Sequence, residues 1–135
     1  MPGTAVPGPL AGVRVLDLSH VLAGPYATYH LALLGAEVIK VERPPAGDAI
    51  RDLETRPGEG GVTAAFQGVN ASKRAVALDL SKPGGRAVLE RLVPTAQVFL
   101  ENFRPGKMAR LGFGPERLAA LNPAIVYASV SGLRP

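Results

Sequence analysis

The chain has 135 residues, 47% of them hydrophobic, and a formal net charge of +4 at pH 7. That is enough apolar sequence for one packed core, and its basic balance favours an anionic partner. The absence of cysteine excludes disulfides and thiolate metal sites, and no apolar run approaches the ~18 residues that read as a bilayer span.

With no tryptophan and few aromatics, the core must be built mainly from Leu, Val, Ala and Ile. No lysine-rich run or basic–aromatic alternation marks a nucleic-acid groove, and no metal site is expected. Residues 1–9 (MPGTAVPGP) are rich in proline and glycine, without periodicity, and read as a flexible lead. They lack the basic and apolar regions of a secretory signal, so a cytoplasmic protein is expected. Residues 10–135 read as one unit.

Residues 13–18 (VRVLDL) form a short run suited to a strand buried on both faces of a parallel sheet. Ser19-His20 and Ala23-Gly24-Pro25 interrupt it. Pro25 fits the first turn of a helix, and Gly35 fits the left-handed position that closes one. Val38, Ile39 and Val41 give a second strand, ended by Glu42-Arg43-Pro44. Ligands of open α/β sheets lie beyond the carboxyl ends of the strands. Residues 20–24 and Glu42-Arg43 are therefore the first candidates for a binding edge.

Residues 44–61 read as a surface loop with at most a helical turn near 48–53. A short helix is placed around 64–67, a polar basic junction at 70–74 (NASKR), and a third strand at 75–80 (AVALDL). Ser81 is expected to cap the next helix, with Pro83 in its first turn and Val88, Leu89 and Leu92 on one face. Residues 97–100 (QVFL) make a fourth strand, ended by Glu101-Asn102-Phe103-Arg104. Two short helices follow, one carrying Met108 and Leu111, the other running from Gly114-Pro115 to Leu121. Asn122-Pro123 ends the second, and residues 125–130 (IVYASV) form a fifth strand. The alternation predicts a Rossmann-like α/β fold, a mostly parallel sheet with flanking helices. A last strand with no covering helix reads as part of a fold truncated before its remainder.

The dinucleotide fingerprint is missing: S-H-V-L-A-G-P stands where G-x-G-x-x-G would. There is no Walker loop, no G-x-S-x-G, no H-E-x-x-H and no paired carboxylate couple. His30 falls on the first helix without a ligating neighbour, whereas His20 lies in the elbow at a strand end. Arg43 follows the second strand, Lys73-Arg74 precede the third, Arg104 follows the fourth, and Arg110 lies a turn or two further on. Such groups bind phosphate oxygens well. Asn102 and its turn suit an adenine or ribose edge, and Phe103 offers a stacking or packing surface.

The runs PLAGVRVLDLSHVLAGP, LLGAEVIKVERP, NASKRAVALDLSKPGGRAVLERLV, VFLENFRPGKMARLGFG and LNPAIVYASVSG resemble the class III coenzyme A transferases of the CaiB/BaiF type. That family includes formyl-CoA and carnitine CoA-transferases and is related to the α-methylacyl-CoA racemases. The resemblance covers residues 9–132 and implies the N-terminal, CoA-binding part of a Rossmann-like large domain. By matching positions it implies that His20, Leu22 and Ala23 line the CoA site. It further implies that Arg43, the junction carrying Asn70, Ser72, Lys73 and Arg74, the turn Asn102-Phe103-Arg104, and Arg110 contact adenine, ribose and phosphates.

Coenzyme A or acyl-CoA then enters as substrate, with no permanently bound cofactor and a carboxylic acid as acceptor. Two side chains depart from the family pattern. Ser72 stands where N-x-N-K-R has an asparagine, and Leu22 where some transferases carry a glutamine. In the family an aspartate attacks the thioester and becomes a mixed anhydride, then an aspartyl-CoA thioester. That aspartate is expected downstream of the S-G motif. Asp17, Asp48, Asp52 and Asp79 do not match it, so no catalytic residue is assigned and this chain alone is expected to be inactive. The family's homodimer is likewise not expected of it. E-N-F rather than E-P-F, with His20, favours transferase over a racemase-type isomerase. A non-catalytic nucleotide-binding module is the reading from a different class.

Overall fold

The computed structural model describes residues 7–53 and 62–132. Five strands, β1 (Arg14–Asp17), β2 (Glu37–Glu42), β3 (Arg74–Ala77), β4 (Val98–Glu101) and β5 (Val126–Ser129), form one sheet in the order β3-β2-β1-β4-β5. Every neighbouring pair is parallel. The helices are α1 (Ala23–Leu33), α2 (Ala64–Asn70), α3 (Pro83–Leu92), α4 (Lys107–Arg110) and α5 (Pro115–Leu121), with 3-10 turns at Ala49–Asp52 and Val93–Thr95. Strand order reverses between β1 and β4, the switch point at which such sheets open a crevice.

Alternation along the strands divides the core. Leu16, Leu18, Val41 and Phe99 pack against Leu89, Val93, Met108, Phe113 and Leu118 from the segment containing α3, α4 and α5. On the other face Val15 and Val38 pack with Ala36, Leu31 and Ala32 beside α1. Two to four residues further along the same face the layer turns ionic, at Asp17, Lys40 and Glu42, all buried. Gly35 turns the chain from α1 into β2 with φ of 100°, a conformation that favours glycine.

The expected sheet is therefore present, wholly parallel among the described strands, with boundaries shifted by one to three residues. One expectation fails. Ser81 does not cap α3; its hydroxyl and N–H both donate to Asp79 Oδ1, at 2.6 and 3.0 Å, and Lys82 is the N-cap residue. An ionised carboxylate two residues back is the stronger acceptor, so the chain makes an Asx turn there and the pairing of β3 stops at Ala77. Most of the expected N-terminal lead and the second half of the 44–61 loop lie outside the described residues.

Candidate functional site

The carboxyl ends of β1, β2 and β3 enclose a cleft of about 230 Å³. Leu18, Val41, Leu78, Leu80, Phe103 and Leu111 supply its apolar walls, and His20, Glu42, Arg43, Gly47, Asp79, Ser81 and Lys107 its polar ones. Arg43 is 75% exposed, with Nε 3.9 Å from Asp79 Oδ1, an ion contact loose enough to yield to an incoming anion. The His20 and Phe103 rings lie 5.1 Å apart.

The elbow between β1 and α1 is held from two sides. Asn102, after β4, accepts the His20 N–H and donates to the His20 carbonyl, both at 2.8 Å. Asp48, from the loop after β2, accepts the Val21 N–H at 2.9 Å. Val21 itself has φ of 66°, an outlier for a β-branched residue.

Beneath the elbow lie three acids and three bases. Lys73 Nζ bonds Asp17 Oδ2 at 2.9 Å, Arg51 forks onto both oxygens of Glu42 at 2.7 Å, and Lys40 Nζ sits 2.8 Å from Asp48 Oδ2. The last is an ion contact without hydrogen-bond alignment, since Oδ2 accepts no directed bond. Burial by itself raises the pKa of Asp17. The Lys73 and Lys40 charges and the Ser19 and Thr28 hydroxyls reverse this and hold it below the usual carboxylate value. Burial likewise acts upward on Asp48, and Lys40 with the Val21 and Ile50 N–H groups brings it down. His20 is shifted the other way round: burial lowers its pKa against the opposing pull of Asp48.

Of the residues singled out from the sequence, the cleft brings together His20, Glu42, Arg43 and Phe103. Leu22 and Ala23 are exposed where α1 begins, outside the lining. Asn102 spends its amide on the His20 backbone. Lys73 is spent on Asp17, the Pro25 carbonyl and Asn70 Oδ1, while Asn70 Nδ2 donates to the Phe66 carbonyl. Arg74 opens β3, at the end of the sheet away from the cleft, and bonds Glu37 there at 2.7 Å. Ser72, between them, is exposed with φ of 65°.

Arg104 lines a separate hollow with Glu101 and Tyr127. There burial and the Glu101 carboxylate, 2.8 Å from the hydroxyl, push Tyr127 up to about 12. Arg110 lies in a third groove beside Arg86 and Arg117. The cleft residues that sequence reasoning missed are Leu18, Val41, Gly47, residues 78–81, Lys107 and Leu111. The strand-end rule applied to β3 points to 78–81. For Lys107 the sequence holds only a basic residue near a helix start.

The sequence profile described as CoA-transferase family III matches residues 10–134. The chain is 44% identical over 124 residues to the succinyl-CoA:glutarate CoA-transferase of Homo sapiens, covering 92% of this chain and 28% of that protein. It is 46% identical over 125 residues to the acetyl-CoA:oxalate CoA-transferase of Acetobacter aceti, covering 93% and 32%. The chain thus spans about a third or less of the length of these curated relatives. A crystal structure of a CAIB/BAIF family protein from Brucella suis superposes with a TM-score of 0.87 at 39% identity, over 95% of this chain and 34% of that one. A point variant of Rv3272 from Mycobacterium tuberculosis gives 0.84 at 42% identity, over 96% and 35%.

Proposed function

The chain belongs to CoA-transferase family III, and on that premise we propose that its strand-end cleft binds the nucleotide end of a coenzyme A thioester. The reaction served is exchange of coenzyme A between an acyl-CoA donor and a carboxylic acid acceptor. The observation that carries this reading is the joining of apolar walls to two cationic side chains, Arg43 and Lys107, in one cleft beyond the carboxyl ends of β1, β2 and β3.

An adenine ring needs an apolar slot, provided by Leu18, Val41, Leu78, Leu80 and Phe103. The phosphates need mobile cations, which the exposed Arg43 and Lys107 supply. His20, with its pKa lowered by burial, faces the cleft as a neutral imidazole at pH 7, able to donate or accept one hydrogen bond. Asp17 and Asp48 are fully enclosed and paired with lysines, so neither can attack a thioester. In this reading the residues of this chain hold the thioester and leave its cleavage to another carboxylate. Residues 10–135 act as one binding unit.

Calorimetry of coenzyme A with the purified chain tests the reading. Saturable heat that is lost in the double variant Arg43→Ala/Lys107→Ala is expected. No heat at millimolar coenzyme A would overturn it.

A further inference from the structure

We infer that Asp48 is a positioning residue for the cleft: its Oδ1 holds the Val21 N–H and so fixes the elbow that carries His20, while Lys40 holds Asp48. The consequence for ligand binding rests on the reading of the cleft as a coenzyme A site; the clamp itself does not.

The contacts form a closed ring. Lys40 Nζ donates to the Ser19 carbonyl at 2.9 Å, two residues along the chain Val21 N–H donates to Asp48 Oδ1 at 2.9 Å, and Asp48 Oδ2 returns to Lys40 at 2.8 Å. Lys40 is 1% exposed and Asp48 not at all. A β-branched residue at positive φ persists only where its surroundings over-determine it. At Val21 the surroundings that do so are the Asp48 acceptor on its own N–H and the Asn102 amide on the peptide groups of His20.

Asp48 does not position the imidazole by a direct hydrogen bond, because His20 Nδ1 is 3.9 Å from Oδ1, beyond hydrogen-bond reach. It acts through the backbone. The same short loop carries Arg43 and Gly47 into the cleft wall, and the Asp48 N–H is itself fixed by Glu42 Oε2 at 2.9 Å. One carboxylate therefore sets the wall formed by the loop after β2 against the wall formed by His20.

Two double variants separate the acceptor oxygen from the charge. Asp48→Asn/Lys40→Met keeps the acceptor and leaves no unpaired buried ion; Asp48→Ala/Lys40→Met removes the acceptor as well. Both lose the Lys40 bond to Ser19, so their difference reports Oδ1. Amide exchange at Val21, referenced to the Leu18 amide that bonds the Leu100 carbonyl, is expected to quicken at least tenfold in the alanine pair relative to the asparagine pair. Coenzyme A affinity is expected to be about tenfold lower in the alanine pair than in the asparagine pair.

Equal Val21 exchange in the two variants would overturn the clamp. Native affinity in a folded alanine pair would overturn its positioning role. Should the alanine pair not fold, the native chain decides. A scalar coupling across the hydrogen bond from the Val21 nitrogen to Asp48 Cγ supports the clamp. An absent coupling with unprotected Val21 exchange removes it. A native chain that ignores coenzyme A while Val21 is protected would retire the cleft reading and leave the clamp standing.

Discussion

Asn102 and His20, 82 residues apart, are joined in both directions, the Asn102 amide accepting the His20 N–H and donating to its carbonyl at 2.8 Å each. This side chain imitates a strand neighbour at the point where strand order reverses and no ladder can continue. Asn102→Ala leaves two part-buried backbone groups without partners and is expected to lower stability by about 1–3 kcal/mol. Asn102→Asp, which sets a carboxylate against a carbonyl oxygen, is expected to cost no less at neutral pH. Urea unfolding measures both, and a native midpoint for the alanine variant would show that the clamp is idle.

Substitution of Arg43 tests binding apart from stability. Its side chain is largely exposed and its contact with Asp79 is long. Arg43→Ala is therefore expected to change stability by less than about 0.5 kcal/mol and to weaken coenzyme A binding about tenfold, as loss of one charged hydrogen bond implies. The salt dependence of binding should become shallower. Calorimetry at two ionic strengths, beside an unfolding curve, reads all three.

Acid should destabilise the chain in two stages. His20 is held by burial below its usual 6.5, so below pH 6.5 the unfolded chain takes up a proton that the native chain refuses. Asp17, Asp48 and Glu42 are also lower in the folded chain, despite burial, because of their lysine, arginine and N–H partners. Their contribution is complete above the usual carboxylate range and is lost as pH falls through it and below. Both stages have the same sign, since in each the unfolded state binds more protons. Denaturant midpoints from pH 7 to 3 are expected to show a shallow decline and then a steep one, with His20→Gln removing the shallow part.

Two glycines should respond in opposite directions. A Cβ on Gly24 would collide with the Cβ and Oγ of Ser19, where α1 begins against the elbow. Gly24→Ala is expected to cost about 1–3 kcal/mol, as overpacking does. Gly68, inside α2, has open space where its Cβ would stand, and Gly68→Ala is expected to gain about 0.5–1 kcal/mol through helix propensity. Thermal unfolding of the pair checks the contrast.

The strands and helices were legible because their signals are local: β-branched runs, proline in first turns, glycine at Gly35. The strand-end rule also put His20, Arg43 and Phe103 at the edge where the cleft opens. It could not say which polar side chains face a ligand and which are consumed by the fold. Lys73 reads as a phosphate ligand until Asp17, 56 residues away, is seen to occupy its ammonium. Asn102 is the same case. Lys40 does leave a trace: in E-V-I-K-V-E, Val38, Lys40 and Glu42 share one face, and a buried face with charges requires ionic partners. Asp48, the partner of Lys40, is eight residues on in a loop whose path the sequence does not specify.

The change along one sheet face from Val15 and Val38 to Asp17 and Lys40 has a consequence for how the strands find each other. Val15 pairs with Val38, and Asp17 with Lys40. If β2 slipped two residues along β1, Lys40 would stand opposite Val15 in the dry layer under α1, cut off from Asp48, and an isolated buried charge costs several kcal/mol. The ions serve as alignment keys: one offset of the two strands satisfies every charge, and its neighbours leave at least one stranded.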